Sequence, residues 1–356
     1  MRPTRALAAL ACLLALVAAV VGGCGSDSDD ATNGSTGSAE SRPAPPKSDF
    51  PSAKGKTLGE VLEAEDAKPS ELVVSPAALA FFKGSNRYPF GVFERDHSQV
   101  SDAEVALYLA KVPAPAGKGG NPEAASDKAA ERALDQPAVG PFPAAVETLT
   151  TQPAFQALTT TDDPSAATVV YTTGLDFPSD GEWRIGALIR QGDELSAALL
   201  PSADVGAYAG VPRVGERAPL IHTPTPSDAG GDLSQITTRI PPDTQNKVDY
   251  ADVLGKEPIV LLFATPQFCQ SRVCGPVVDV AEQVKQLYGD KAAFIHMEIY
   301  NDNDPNEHTR PQVRAFRLPS EPWLFAIDQS GRIDAEVEGA FGVEELTNVV
   351  KGLTGE

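Results

Sequence analysis

The stretch IVLLFATPQFCQSRVCGPVVDVAEQVKQLYG, residues 259–289, carries the strongest structural signal in the chain. Residues 258–264 are short and apolar throughout, which is typical of a central parallel strand buried on both faces. After Cys274 the apolar residues recur at helical spacing, and Gly289 follows as a helix stop. The stretch therefore predicts a buried strand, a loop that carries two cysteines, and a helix.

The residues that follow predict four further elements. Residues 292–300 indicate a second buried strand, which a helical crossover would place parallel to the first. A short helix is expected within 308–318, and a hairpin of two strands within 320–339 around a turn that ends in Gly331. Residues 342–353 have the pattern of an amphipathic closing helix.

The order strand, helix, strand, helix, hairpin, helix resembles that of the thioredoxin superfamily. The lead-in Gly-x-x-Ala-Pro at 215–219 is similar to that of extracytoplasmic redoxins of the TlpA/ResA type. The resemblance covers 213–356 and implies an α/β thioredoxin-like C-terminal domain. It also implies a thiol–disulfide oxidoreductase that needs no cofactor and no metal.

Cys269 and Cys274 are the candidate catalytic and disulfide pair. A cysteine attacks as thiolate, and a helix N-terminus favours that anion. Cys274 with the following Gly-Pro resembles the opening of the thioredoxin active site, but Val277 replaces the second cysteine and the partner lies five residues upstream. Judged by its distance from the strand, Cys269 occupies the position of the family's first cysteine. Judged by the residues that follow, Cys274 occupies that position. The identity of the attacking thiol therefore stays open, although a loop can bring the two Cα atoms within the ~4.4–6.8 Å of a disulfide.

The resemblance assigns substrate binding to Glu321 and Pro322. In thioredoxin relatives a cis-proline begins the hairpin strand opposite the cysteines and offers backbone groups to an extended substrate peptide. Ser320-Glu321-Pro322-Trp323 stands at the corresponding place. The alternative is an ordinary trans proline at the start of a strand.

Two other functions are compatible with the cysteine pair. It could be a structural disulfide in a non-catalytic binding module, because fold alone does not define function. SCO-type copper proteins share the fold and bind copper through two cysteines and a distant histidine, here His296 or His308. A peroxiredoxin is not favoured, because neither cysteine has the threonine three residues before it and the proline seven before it that the family requires.

The N-terminus predicts a membrane-anchored, extracytoplasmic protein. Residues 1–23 combine two arginines with an apolar run, and Val21-Gly22-Gly23-Cys24 resembles the bacterial lipobox. We expect a lipoprotein signal peptide over 1–23 and lipidation of Cys24, with acyl chains holding the protein to the cell membrane. An uncleaved membrane helix is the alternative. Outside the cytoplasm a disulfide can persist.

Two further segments separate Cys24 from the redoxin-like region. Residues 24–68 are rich in Ser, Gly, Pro and Asp and predict a flexible tether, within which residues 57–67 could form a short helical turn. Residues 69–208 predict an all-β immunoglobulin-like sandwich, interrupted by a Pro/Ala/Gly-rich insert at 113–143. Within the sandwich PSDGEWRI, at 178–185, resembles a hairpin of small extracytoplasmic sandwiches of the FixH/YtkA kind. The predicted strands fall within 72–75, 78–82, 89–96, 104–112, 167–177 and 181–201.

The charge excludes one class of partner. Lys and Arg total 29 against 49 Asp and Glu, a net charge of −20. Nucleic acid, which is bound through clustered cations, is therefore not expected. The expected partners are protein thiol or disulfide clients and the membrane, through the lipid on Cys24.

Overall fold

The computed structural model describes residues 40–64, 67–114, 130–269 and 271–356. These residues belong to one compact unit. The predicted signal peptide, the lipidation site Cys24, the first part of the tether and the centre of the predicted insert lie outside the described residues. In the described ranges no helix is long and apolar enough to cross a membrane.

The secondary structure is mostly strand. The strands are β1 Lys68–Pro69, β2 Val73–Pro76, β3 Gly84–Phe93, β4 Glu104–Lys111, β5 Val139–Pro143, β6 Ala145–Thr148, β7 Val169–Phe177, β8 Gly181–Gln191, β9 Glu194–Val205, β10 Ile259–Phe263, β11 Ala293–Met297, β12 Trp323–Ile327 and β13 Ile333–Glu338. The α-helices are α1 Leu58–Leu62, α2 Leu158–Thr161, α3 Tyr250–Val253, α4 Cys274–Tyr288, α5 Pro311–Ala315 and α6 Val343–Thr354. Short 3-10 helices lie at Lys47–Asp49, Ala133–Asp135, Pro153–Phe155, Leu233–Gln235 and Asn301–Asn303.

The first nine strands form two sheets that share one apolar core. Their orders are β1-β9-β8-β4-β5 and β2-β3-β7-β6, and the pairs are antiparallel except for β1 with β9. Alternate residues of both sheets point into the shared core, among them Phe90, Tyr171 and Ile185. The two sheets confirm that this region is all-β in its main elements, and its immunoglobulin type stays a prediction.

The last four strands form a separate mixed sheet in the order β11-β10-β12-β13. Strand β10 is parallel to β11, whereas β12 is antiparallel to both of its neighbours. Side chains of α4 and α6 pack on one face of the sheet, and those of α3 and α5 pack on the other. The predicted order of strand, helix, strand, helix, hairpin and helix is therefore confirmed.

The predicted tether is wrong for its C-terminal part. Helix α1 begins with a capping box, in which Thr57 and Glu60 satisfy each other's backbone N–H groups. Leu58 is 0% exposed, and it packs with Tyr108 and Leu188 on the outer face of the five-stranded sheet. The sequence indicates the short helical turn within 57–67, but not that a few apolar residues of this polar segment cover the outer face of the sheet.

Two further predictions in the β region are wrong: the C-terminal bound of the insert and the strand at 78–82. The predicted insert extends too far, because Val139–Pro143 forms β5 and pairs with β4. Residues 78–82 do not form a strand: the N–H groups of Leu79 and Ala80 donate to the Glu338 carboxylate at 2.8 and 2.9 Å. A side chain far along the sequence thus replaces the neighbouring strand as the hydrogen-bond partner.

The β region and the C-terminal region are joined by polar contacts. Arg87 on β3 forms an ion pair with Glu345 on α6 and donates to the carbonyl of Ala340. Gly339 has a φ of 80°, and a Cβ there would collide with the backbone of Ala77. The redoxin-like region is therefore packed against the β region and is not merely linked to it.

Truncation of Leu58 tests whether residues before β1 belong to the folded unit. Leu58→Ala should lower the free energy of unfolding by about 2–5 kcal/mol, because it opens a cavity under a fully buried side chain. Chemical denaturation measures this. The matched control is Leu158→Ala, since Leu158 is 53% exposed and should cost little. Equal stability of both variants and the parent would show that this segment contributes nothing to the fold.

Candidate functional site

The candidate site is a disulfide between Cys269 and Cys274, which follows the carboxyl end of β10. The two Cα atoms are 5.9 Å apart. Arg272 adopts a φ of 59°, a left-handed conformation that turns the loop, and α4 begins at Cys274 itself. This loop brings together the two cysteines that the sequence predicts as a pair.

The two sulfur-bearing residues differ in exposure. Cys274 is 0% exposed and belongs to the apolar cluster beneath α4. Cys269 is half-buried, and the Ser271 hydroxyl lies 3.2 Å from its Sγ. Of the two cysteines, only Cys269 therefore keeps part of its surface exposed.

Cys274 occupies the first position of α4. Val273 is the N-cap residue and makes no capping hydrogen bond with its side chain. The first-turn N–H groups and the helix dipole of this 15-residue helix favour a negative charge at Cys274. Pro276 falls in the first turn, where a missing N–H costs nothing. The helix start therefore favours a negative charge at Cys274, whereas the apolar burial of this residue opposes one.

A buried ion pair holds α4 in place. Asp279, on the second turn of α4, accepts hydrogen bonds from Arg239 at 2.9 Å and from the N–H of Ala157 at 3.1 Å. Arg239 donates further to the carbonyls of Phe155 and Pro241 at 2.6 and 2.8 Å. Burial raises the pKa of Asp279, although Arg239 and the backbone hydrogen bond oppose this. Two separate segments, 155–157 and 239–241, therefore meet at the helix that carries Cys274.

A second buried ion pair involves β11, the strand next to β10 in the sheet. His296 on β11 is 2.8 Å from Asp243, and its Nε2 is 3.1 Å from the carbonyl of Ala264, directly after β10. Burial lowers the pKa of His296, but the charge and hydrogen bond of Asp243 outweigh this and raise it to about 9. Burial acts to raise the pKa of Asp243, but the charge and hydrogen bond of His296 hold that pKa far below its usual range. The pair is therefore charged at neutral pH.

This pairing bears on the copper interpretation. Both ring nitrogens of His296 are engaged, and His308 lies exposed in the loop before α5. The part of the chain that the structure describes contains no group of three His, Cys, Asp or Glu residues placed to hold a metal ion. Neither histidine therefore completes a ligand set with the cysteines in this arrangement.

Glu298 supports the start of the cysteine loop. One oxygen of its buried carboxylate accepts from the N–H and hydroxyl of Thr238 at 2.6 and 2.7 Å. The Thr238 hydroxyl in turn accepts from the N–H of Gln267, two residues before Cys269, at 3.2 Å. Sequence reasoning missed Glu298 and the polar segment 237–246. That segment reads as a proline-containing loop, and only tertiary packing buries its polar side chains.

Glu321 and Pro322 lie at the same edge of the sheet as the disulfide. Trp323, the first residue of β12, pairs with Phe263, the last residue of β10. The Glu321–Pro322 peptide bond is cis, as the resemblance implies. Pro322 is buried and its carbonyl accepts from Gly339 at 2.9 Å, while burial raises the pKa of the half-buried Glu321. No described hydrogen bond joins either residue to the cysteines, so their part in substrate binding stays a prediction.

Comparisons with known proteins give weak structural likenesses. No family model matches the chain, and no curated protein matches it. A thiol:disulfide interchange protein of the thioredoxin family from Chlorobium tepidum is 17% identical; the match covers 40% of this chain and 97% of that one, with a TM-score of 0.28. A DUF4784 family protein from Bacteroides caccae is 12% identical, with 38% of this chain and 24% of that chain covered and a TM-score of 0.17.

The His296–Asp243 pair predicts a pH dependence of stability. His296 has a folded-state pKa of about 9, above its ordinary value of 6.5, so the folded protein binds more protons between these values. The stabilisation is complete below pH 6.5 and is lost as the pH rises through 9, with a slope of at most about 1.4 kcal/mol per pH unit. Denaturation at several pH values measures it.

Two controls separate this group from others. His308→Gln, which changes an exposed histidine, should keep the pH dependence, whereas His296→Gln should lose it. If the second variant does not fold, NMR titration of the parent gives the same information. A His296 ring that loses its proton near pH 6.5 would contradict the prediction.

Proposed function

We propose that this protein is an extracytoplasmic thiol–disulfide oxidoreductase that acts through the Cys269–Cys274 pair. The observation that carries the proposal is the asymmetry of the disulfide: Cys269 is accessible, and Cys274 is fully buried at the first residue of α4. A structural disulfide has no need of such an arrangement. An exchange centre does, because one sulfur must meet the client while the other leaves or resolves.

The exchange steps follow from this asymmetry. A client thiolate attacks Sγ of Cys269, the bond between Cys269 and Cys274 breaks, and the electron pair goes to Cys274, which leaves as a thiolate. A second client thiolate then attacks the client sulfur of the mixed disulfide and releases Cys269 as a thiolate. The client is oxidised to a disulfide and the protein is reduced to a dithiol. In the reverse direction the Cys269 thiolate attacks a client disulfide and Cys274 resolves the mixed disulfide.

The helix start affects the rate of the first step. The N-terminus of α4 favours the anion that forms at Cys274 when the bond opens, although the apolar burial of this cysteine opposes it. The Ser271 hydroxyl, 3.2 Å from Sγ of Cys269, can donate to that sulfur when it becomes a thiolate. The bond is therefore suited to opening by a client that approaches from the side of Cys269.

A thioredoxin-like fold of residues 213–356 is part of the proposal. It is supported by the element order, by the strand order β11-β10-β12-β13 with β12 antiparallel, and by the cis bond before Pro322. By analogy, Glu321 and Pro322 would offer backbone groups to the client polypeptide. The immunoglobulin-like type of the β region is a further part of this proposal, supported by its two antiparallel-rich sheets and shared core.

The location is also a proposal. The basic and apolar N-terminus and the Gly-Gly-Cys sequence that ends at Cys24 support lipid attachment at the outer face of the cell membrane. In that compartment a disulfide can form and persist, which the exchange reaction requires. The clients would be proteins with exposed thiols or disulfides.

Serine substitutions of the two cysteines test the activity. Cys269→Ser should reduce insulin reduction by dithiothreitol to the uncatalysed rate, because the exposed thiol of the pair is removed. Cys274→Ser should also lose turnover but accumulate a mixed disulfide with the client at Cys269, since the resolving thiol is absent. Insulin turbidity and mass mapping of the trapped complex are the measurements.

The matched control is Cys24→Ser, which changes a cysteine outside the pair and should keep the insulin-reducing activity of the isolated protein. Full activity in both Cys269→Ser and Cys274→Ser would rule out the proposed function. So would a Cys269–Cys274 bond that dithiothreitol cannot open in the folded protein, which would indicate a structural disulfide.

A further inference from the structure

A groove of about 400 Å³ lies between the β region and the cysteine loop. One side is formed by β2, the end of β3 and the turn that follows it. The other side is formed by the three residues that precede Cys274 in the loop. Residues of the entry into β7 close one end. Its principal lining side chains are Val73, Ser75, Phe93, Arg95, Arg272 and Val273.

Residues of the cysteine loop form one wall of the groove. Ser271, Arg272 and Val273 line it and lie between the two cysteines in sequence, and the Ser271 hydroxyl contacts Sγ of Cys269. The N–H of Ala167 donates to the carbonyl of Arg272 at 3.1 Å, which fastens this wall to the β region. A chain segment lying in the groove would therefore pass close to the accessible sulfur.

The other side of the groove is apolar and ends in a sheet edge. Strand β2 is the outermost strand of its sheet, and Val73 on it is 52% exposed. The ring of Phe93 lies over Gly91 at a distance that leaves no room for a Cβ, so a flat aromatic surface continues beside β2. Apolar side chains next to an outer strand suit an extended polypeptide, which can use side-chain contacts and backbone hydrogen bonds together.

The charges favour an acidic residue in the occupant. Among the charged residues that line the groove, Glu94 is an anion and Arg95 is paired with Glu71 at 3.0 Å, whereas exposed Arg272 has no ion pair within the described ranges. Ser165 hydrogen bonds lower the pKa of nearby Asp163, and Arg272 adds to this without forming an ion pair with it. Among the described residues the Arg272 guanidinium thus carries a positive charge with no salt-bridge partner, in a chain whose net charge is −20.

We propose that this groove binds the client: an extended polypeptide segment whose cysteine is flanked by apolar residues and by a carboxylate. The proposal rests on the proposed function and adds to it that the β region forms half of the client site. The client thiolate attacks Sγ of Cys269, Cys274 leaves as a thiolate, and the Arg272 guanidinium pairs with the client carboxylate.

The test compares three thiols with the oxidised full-length protein. They are 2-mercaptoethanol and two synthetic peptides, acetyl-Val-Thr-Val-Cys-Asp-Val-Thr-amide and the same sequence with Lys in place of Asp. Opening of the disulfide is followed by mass spectrometry at matched thiolate concentrations. We expect the Asp peptide to react about tenfold faster than the Lys peptide, with the difference shrinking as salt is added.

Two variants test the two sides of the groove. Val73→Glu should slow the Asp peptide about tenfold and leave 2-mercaptoethanol unchanged, because it places an anion in the groove without touching the cysteines. Arg272→Glu should reverse the preference between the peptides. Leu199→Glu is the matched control for Val73→Glu, since Leu199 is an apolar β9 residue, 44% exposed and absent from the groove lining.

The outcomes distinguish this proposal from the function on which it rests. If the peptides and 2-mercaptoethanol respond to Val73→Glu and Leu199→Glu in the same way, the groove does not bind the client, although the exchange activity stands. If none of the three thiols opens the bond in the folded parent protein, the proposed function is wrong and this proposal falls with it.

Discussion

The buried ion pair between Arg239 and Asp279 determines where the cysteine-bearing helix lies. Both side chains are almost fully buried, and their hydrogen bonds join α4 to the 237–246 segment and to the β6–β7 connection of the β region. Removing one partner of such a pair typically costs about 3–5 kcal/mol, because an unpaired charge is left buried. The start of α4, and with it Cys274, is therefore held by contacts from both regions of the protein.

The properties of the disulfide follow from this anchoring. Packing of α4 against the β6–β7 connection buries Cys274, and a Cβ on Gly275 would lie only 2.9 Å from the Thr160 hydroxyl. Cys269 is less buried because it lies in the loop before the helix. Glu298 supports the start of that loop through Thr238. One sulfur is thus accessible and the other is buried at a helix N-terminus. The groove along the β region is lined by Ser271, whose hydroxyl lies 3.2 Å from Sγ of Cys269.

The sequence predicted the C-terminal region closely. Apolar runs of the right length and helical spacing defined β10, α4, β11 and α6, because in each element local propensity and burial agree. It also predicted the pairing of Cys269 with Cys274 and, through the resemblance, the cis bond before Pro322. The β region was harder. Residues 78–82 have the composition of a strand, but the distant Glu338 carboxylate takes their N–H groups.

Long-range contacts explain the other omissions. Helix α1 lies in a polar segment. Only its contact with the five-stranded sheet shows that Leu58 is a core residue. The buried partners Asp243, Arg239 and Glu298 have no local signature, since a polar residue in a loop is ordinarily solvated. Which of the two cysteines is exposed also depends on tertiary burial, which their spacing alone does not determine.

Alkylation of the reduced, folded protein tests the central claim most directly. After mild reduction and removal of the reductant, iodoacetamide is added and each cysteine is followed over time by peptide mass mapping. The account predicts rapid modification of Cys269 and protection of Cys274 until denaturant is added, because only the former is accessible. Equal rates at the two cysteines, or faster modification of Cys274, would contradict it.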